Sequence, residues 1–161
     1  MSYRVGVIGC TGIGTQHASG LVGLTDAKLV AGCDLSSSVL KQFQEHWAEE
    51  WPDVATYTDH RQMLAEARLD IVTVATSDHK HADLVVDAAQ AGIKGIFCEK
   101  PISNNLSSAK KIVDHCKKHK VGIFEGFMYQ FHSQHQKIRE LITFMLLLIL
   151  QPVIENMLIL V

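Results

Sequence analysis

The sequence predicts an α/β protein built on a doubly wound parallel sheet. Short apolar, β-branched runs alternate along the chain with segments of helical periodicity, as where Asp70–Thr76 precedes an alanine-rich stretch. The absence of polar alternation in that run is typical of a strand buried on both faces. Strands and helices in this order form parallel sheets through right-handed crossovers. With 161 residues, one such domain can bury a core without disulfides.

The predicted elements follow these patterns in chain order. Strands are expected at residues 5–8, 28–34, 54–57, 70–76, 95–98 and 121–127. Helices are expected at about 15–24, 39–51, 60–67, 82–91 and 106–118. Pro52 is expected to end the second helix, because proline cannot continue a helical hydrogen-bond ladder. Residues 77–81 are predicted as a polar loop, and Gly92 suits the position after a helix.

The composition excludes several classes of protein. The net charge is −2, from 15 basic and 17 acidic residues, so neither nucleic acid nor an anionic membrane is an expected partner. The four cysteines are scattered without a C-x-x-C pair, which indicates small buried thiols and neither a zinc knuckle nor a disulfide framework. No charged segment followed by an apolar one opens the chain, so a cytoplasmic protein is expected.

The first strand ends in a glycine-rich turn. Val5–Ile8 is followed by Gly9, Gly12 and Gly14, which predicts a strand, a tight turn and a helix whose first N–H groups suit a pyrophosphate. Thr11 stands where the G-x-G-x-x-G pattern has its middle glycine. Its β-carbon lies where the backbone normally approaches the pyrophosphate, so we expect reduced affinity and an unchanged topology.

Asp34 gives this turn its meaning. It lies twenty residues beyond Gly14, at the end of the second predicted strand, where an acid binds the adenosine ribose hydroxyls in dinucleotide folds. A carboxylate there repels a 2′-phosphate, and no arginine follows closely, so NAD is expected over NADP. The alternative is that Asp34 serves only as a helix N-cap or turn residue.

Four motifs together resemble one family. Residues 9–17, Asp34, residues 75–81 and the tripeptide Glu99-Lys100-Pro101 resemble the glucose–fructose oxidoreductase/inositol dehydrogenase (Gfo/Idh/MocA) family over residues 3–141. The resemblance implies a Rossmann NAD(P)-binding domain at residues 1–128, an oxidoreductase function on CH–OH groups, and a sugar- or polyol-like secondary alcohol as substrate. Residues 129–161 would begin a linker to a C-terminal α/β substrate domain. In this family that domain is also the source of oligomer contacts, and we expect the domain to be absent here.

The resemblance also implies roles for individual residues. Lys100 matches the catalytic lysine beside the nicotinamide and the substrate hydroxyl, where an ammonium can orient the hydroxyl, stabilise alkoxide charge and relay a proton. The alternative is a surface lysine paired with Glu99. Glu99 would lie near the cofactor ribose, and Ser77 stands where the family usually has proline. The implied cofactor-binding set is Gly9, Thr11, Gly12, Ile13, Gly14, Asp34, Thr76, Ser77, His81, Glu99 and Lys100.

No metal site is predicted. His79 and His81 lack a nearby third ligand, and His115 and His119 lack the glutamate of an H-E-x-x-H motif.

The C-terminal tail departs from the rest of the chain. Leu141–Leu150 is almost purely apolar, and at ten residues it is half of the ~20 needed to span a bilayer. It could be a core segment, a partner interface or the product of an altered reading frame, and we favour the last. Our leading hypothesis is therefore the cofactor half of an NAD-dependent oxidoreductase. A non-catalytic dinucleotide-binding module or partner subunit is the alternative, and a methyltransferase-like domain would leave Glu99-Lys100-Pro101 without a role.

Overall fold

The computed structural model of the protein describes residues 2–158. These residues form two compact units, the first ending at Gly126 and the second beginning at Phe127.

The first unit is a six-stranded parallel sheet flanked by five helices. Its strands are β1 (Tyr3–Ile8), β2 (Ala27–Cys33), β3 (Ala55–Tyr57), β4 (Ile71–Val74), β5 (Gly95–Cys98) and β6 (Gly122–Glu125), in the order β3-β2-β1-β4-β5-β6. Its helices are α1 (Ile13–Ser19), α2 (Ser37–Trp47), α3 (His60–Glu66), α4 (Asp78–Gln90) and α5 (Leu106–His119). The predicted fold class is thereby confirmed. The strand order reverses between β1 and β4, and ligands of such sheets bind at the carboxyl ends beside this point.

Two apolar cores cover the two faces of the sheet. Consecutive residues of β1 belong to different cores, because side chains alternate between the faces of a strand. Val7 packs in the core that includes Ala18 of α1 and Leu40 of α2, whereas Ile8 packs in the core that includes Met63 of α3 and Val85 of α4. All four cysteines are free and buried, as the sequence predicts.

The predicted polar loop at residues 77–81 is wrong, because α4 already begins at Asp78. Ser77 is the N-cap in an extended conformation, and the Lys80 N–H donates to its carbonyl oxygen over 2.9 Å. Asp78 lies in the first turn, where a negative charge interacts favourably with the helix dipole. Polar residues there are thus the start of the helix.

Two helices end earlier than predicted. α1 ends at Ser19, and Gly20 is its C-cap. The N–H groups of Leu21 and Val22 then donate to carbonyl oxygens three residues back. Gly23 follows with a φ of 79°. α2 stops at Trp47, where the Ala48 N–H donates to the Glu45 carbonyl three residues back. In both places the chain forms tighter turns before the predicted end of the helix, which for α2 is Pro52.

The second unit consists of a short 3₁₀ turn, Met128–Phe131, and a long helix, α6 (Ser133–Leu158). The apolar decamer 141–150 lies within α6, which continues through Pro152. Among the described residues, no helix combines the length and the apolar character that crossing a membrane requires. The three interpretations of the tail remain predictions.

Candidate functional site

The candidate site is a cleft of about 720 Å³ at the carboxyl ends of β1, β2, β4 and β5. Except for Gly14 and His81, every residue predicted to bind the cofactor lines this cleft. Those lining residues are Gly9, Thr11, Gly12, Ile13, Asp34, Thr76, Ser77, Glu99 and Lys100. The tertiary structure therefore brings together residues as far apart in the sequence as Gly9 and Lys100.

The glycine turn presses the start of α1 against the end of β1. A β-carbon on Gly14 would lie 1.7 Å from the Gly9 carbonyl oxygen, and one on Gly9 would lie 2.4 Å from the Ala75 carbonyl oxygen. Gly9 also has a φ of 90°, which disfavours any residue with a side chain. Thr11 is exposed, and the space beside Gly12 is open. The outer glycines are thus sterically required, while the middle position accommodates threonine.

Two backbone donors of the turn are free to bind an anion. Within the described chain, the N–H groups of Thr11 and Gly12 donate to no protein acceptor, and both residues line the cleft. Unpaired N–H groups at the start of a helix form an anion-binding site.

Asp34 ties the end of β2 to the glycine turn. One carboxylate oxygen accepts the N–H of Cys10 over 3.0 Å, and the other accepts the N–H of Ser36 over 3.1 Å. The N-cap of α2 is Ser36, whose hydroxyl accepts the Val39 N–H over 3.4 Å. Asp34 is therefore a turn residue without being the N-cap. Each of its oxygens retains a lone pair for a further donor such as a hydroxyl.

His81 lies beneath the cleft without lining it. Its side chain is 1% exposed, with Nδ1 2.9 Å from the Pro101 carbonyl oxygen and Nε2 3.0 Å from the Thr76 carbonyl oxygen. The ring thus bridges the segment after β4 to the turn after β5. Because both partners are acceptors, a neutral ring donates to only one of them at a time.

Lys100 lines the cleft and is exposed. In the described part of the chain its ammonium has no carboxylate within 4.0 Å, so the alternative of an ion pair with Glu99 is not what the structure contains. The Lys100–Pro101 peptide bond is cis. Glu99 is buried and directs its carboxylate elsewhere: one oxygen is 3.1 Å from His17 Nε2, and the other accepts the Lys100 backbone N–H over 3.1 Å.

Sequence reasoning missed several residues of the cleft. His60 lines it with its ring held by a 2.7 Å contact from Nε2 to the Asp87 carboxylate, and Lys80 lines it from the first turn of α4. A predicted helix start at Asp78 would have placed Lys80 in the first turn of α4, at the edge of the cleft. His60 directly follows the capping residues after β3, but nothing local distinguishes it from any other surface histidine.

Cys33 lines the cleft and Cys10 follows Gly9 in the glycine turn, and the raised pKa values of both thiols favour the protonated form at neutral pH. Burial, with a smaller contribution from the Asp34 charge, raises the pKa of both Cys10 and Cys33 to about 12. Since the thiolate is the reactive form, neither residue acts as a nucleophile near pH 7. Among residues 2–158, no group of three or more histidine, cysteine or carboxylate side chains could hold a metal ion.

The chain is similar to one known protein family and to several dehydrogenases. The model of an oxidoreductase family with an NAD-binding Rossmann fold, Gfo/Idh/MocA, matches residues 3–127. A myo-inositol 2-dehydrogenase of Thermotoga maritima is 35% identical over 137 residues, which are 85% of this chain and 40% of that protein. A D-apiose dehydrogenase of Paraburkholderia graminis is 32% identical over 80% of this chain and 33% of that protein.

A solved structure gives the same picture. The crystal structure of a probable dehydrogenase from Thermotoga maritima superposes with a TM-score of 0.77 at 33% identity, over 87% of this chain and 40% of that one. The chain therefore spans about two fifths of the length of the relatives it matches.

Proposed function

The chain belongs to the Gfo/Idh/MocA oxidoreductase family, and from that membership we propose that it binds NAD for hydride transfer to or from a sugar- or polyol-like secondary alcohol. One observation carries the proposal. The glycine turn, Asp34 and Lys100 line a single cleft at the carboxyl edge of the sheet, and the Lys100 ammonium has no carboxylate partner among the described residues. A site of this kind can hold an anionic dinucleotide and still place a cation beside a reacting hydroxyl.

The cleft has the size and donors that a dinucleotide requires. Its volume of about 720 Å³ falls in the range of roughly 300–1,000 Å³ found for small-molecule and cofactor sites. We assign the pyrophosphate to the free N–H groups of Thr11 and Gly12, and the adenosine ribose to Asp34. A bound nicotinamide supplies the hydride acceptor or donor that no protein side chain can provide.

Asp34 favours NAD over NADP in this proposal. Its position is fixed by two backbone N–H groups, so the carboxylate cannot swing away from an incoming 2′-phosphate without breaking both hydrogen bonds. Two like charges held together in a partly buried site repel each other strongly. Among the cleft residues, Lys80 and Lys100 are the cations that could offset this repulsion.

Lys100 is proposed as the catalytic residue. Within residues 2–158 no carboxylate pairs with its ammonium, so its donors are available to a substrate hydroxyl. Such a group orients the hydroxyl, stabilises negative charge developing on its oxygen, and takes part in moving its proton. The substrate class is supported by the relatives, a myo-inositol 2-dehydrogenase and a D-apiose dehydrogenase. A cytoplasmic location is proposed with it.

Calorimetric titration of the chain with NAD and NADP tests this proposal. We expect NAD to bind more tightly than NADP, at least ~10-fold, which corresponds to about 1.4 kcal/mol. When Lys100 is replaced by alanine in the same titration, Lys118→Ala is the matched control, because it removes one positive charge at an exposed lysine of α5. Absence of binding by either dinucleotide would refute the proposal, and equal affinity for both would refute the role of Asp34.

A further inference from the structure

A buried contact connects α1 to the end of β5. Nε2 of His17, in the last turn of α1, lies 3.1 Å from Oε1 of Glu99, which directly follows β5. The two residues are 82 positions apart in sequence. Neither the glycine turn nor the Glu99-Lys100-Pro101 motif predicts that they meet.

Among the described residues, the His17 ring makes no polar contact besides the one to Glu99. The His17 side chain is 11% exposed and that of Glu99 is 12% exposed, so water is largely excluded from the pair. The ring packs edge-on against Phe97, with centroids 4.9 Å apart, and its Nδ1 is buried without a hydrogen-bond partner. Buried polar atoms without a partner are rare in folded proteins. The ring thus keeps this position although burial leaves Nδ1 without a partner, and within the described residues its hydrogen bond is to Glu99.

The Glu99 carboxylate is confined from other directions as well. Its Oε2 accepts the backbone N–H of Lys100 over 3.1 Å. A β-carbon on Gly126 would lie 2.8 Å from Oε1, so the absence of a side chain at Gly126 leaves just enough room for the carboxylate. The carboxylate therefore holds the histidine ring with one oxygen and the Lys100 backbone with the other.

We propose that His17 is a positioning residue that holds the Glu99 carboxylate so that this carboxylate fixes the backbone of Lys100 at the edge of the cleft. Through this contact, the helix that begins at the glycine turn and the residue proposed to act on substrate are held in one geometry. The importance of that geometry rests on the proposed function of Lys100, whereas the positioning itself can be tested without cofactor or substrate.

Residue-specific amide hydrogen exchange, measured by NMR on the intact chain, tests the inference. The variant His17→Leu removes the donor to Glu99, while His17→Gln retains an N–H at a similar reach. We expect the Lys100 amide to exchange at least ~10-fold faster in the leucine variant, because hydrogen bonds to charged groups contribute strongly to local stability. In the glutamine variant, the exchange rate should stay within ~3-fold of that in the unmodified protein.

An internal reference and two further variants separate positioning from general loosening. The Ile102 amide donates to the Glu125 carboxylate over 2.8 Å without involving His17, so its exchange should not change. His119→Leu, at an exposed histidine ending α5, should leave both amides unaffected. Gly126→Ala displaces the Glu99 carboxylate without altering His17, and it should accelerate Lys100 exchange even if His17→Leu does not fold.

Each outcome decides the inference. Faster exchange at Lys100 alone, restored by glutamine and reproduced by Gly126→Ala, supports it. Unchanged exchange at Lys100 in both His17→Leu and Gly126→Ala, or equal acceleration at Lys100 and Ile102, overturns it. Failure of the unmodified chain to bind NAD would refute the proposed function and leave this result intact, because the exchange measurement requires no dinucleotide.

Discussion

Replacing Gly14 by alanine should disrupt the glycine turn more than any other single methyl addition there. The new β-carbon would lie 1.7 Å from the Gly9 carbonyl oxygen and 2.9 Å from its carbonyl carbon. Both are backbone atoms at the end of β1, so neither can rotate aside as a side chain could. The start of α1 must instead move away from the sheet by more than about 1 Å to reach ordinary contact distances.

The cost of this movement can be bounded. Adding a methyl group to a packed core that adapts by side-chain rotation costs about 1–3 kcal/mol, and a backbone clash belongs at or above the upper end of that range. We expect Gly14→Ala to lower the free energy of unfolding by about 3 kcal/mol, a large part of the 5–15 kcal/mol typical of a domain. NAD affinity should fall at least ~100-fold, because the N–H groups of Thr11 and Gly12 move with the turn.

Urea denaturation and calorimetric titration measure the two effects. The indoles of Trp47 and Trp51 pack together on the α2 side of the sheet, with ring centroids 5.2 Å apart, and provide a fluorescence signal for unfolding. Gly20→Ala, at the other end of α1, is the matched control. Its β-carbon would lie 3.4 Å from the His17 carbonyl oxygen at a φ of −64°, so stability should change by less than ~1 kcal/mol.

NAD affinity within ~3-fold of the unmodified chain and an unchanged urea midpoint in Gly14→Ala would refute the predicted clash with Gly9. An equal loss of stability in the Gly20 variant would also refute it, since the effect would then reflect the loss of a glycine at either end of α1.

Three further predictions concern the charges and thiols of the site. Asp34→Asn should weaken NAD binding about 10-fold, because it removes a charged hydrogen-bond acceptor. The same variant should bind NADP no more weakly than the unmodified chain, because it also removes the repulsion of the 2′-phosphate. Lys100→Ala should leave NAD affinity within ~3-fold, because the proposed role of its ammonium is exerted on the reacting hydroxyl. The pKa values of Cys10, Cys33 and Cys98 are raised from 9.0 to about 12, chiefly by burial. The unfolded chain therefore loses these protons first, and stability should fall as pH rises from 9 towards 12, by up to about 1.4 kcal/mol per pH unit for each thiol.

Calorimetry decides the first two predictions, and urea titrations across the alkaline range decide the third. An Asp34→Asn variant that still excludes NADP would show that the carboxylate does not set the cofactor preference. Loss of NAD binding in Lys100→Ala, with Lys118→Ala normal, would assign Lys100 to cofactor binding. Stability that stays constant between pH 9 and 12 would contradict the burial of the thiols, as would rapid alkylation of the folded chain at pH 8.

The fold was predictable because its signals are local. The β-branched residues of β4 and the glycines after β1 constrain the backbone within a few residues of themselves. The number of residues needed for one helix and one strand then places Asp34 beside the turn. The start of α4 was not predictable in this way, because polar residues such as Asp78 and Lys80 suit a loop and a first helical turn equally.

Four features could be predicted from the sequence: the parallel sheet, the glycine turn, Asp34 after β2 and Lys100 after β5. These follow from periodicity and spacing, which act along the chain. The contact of His17 with Glu99 and the bridge that His81 makes between Thr76 and Pro101 are visible in the folded protein alone. Such contacts join residues that no local pattern relates, and they arise from the close packing of helices on the sheet.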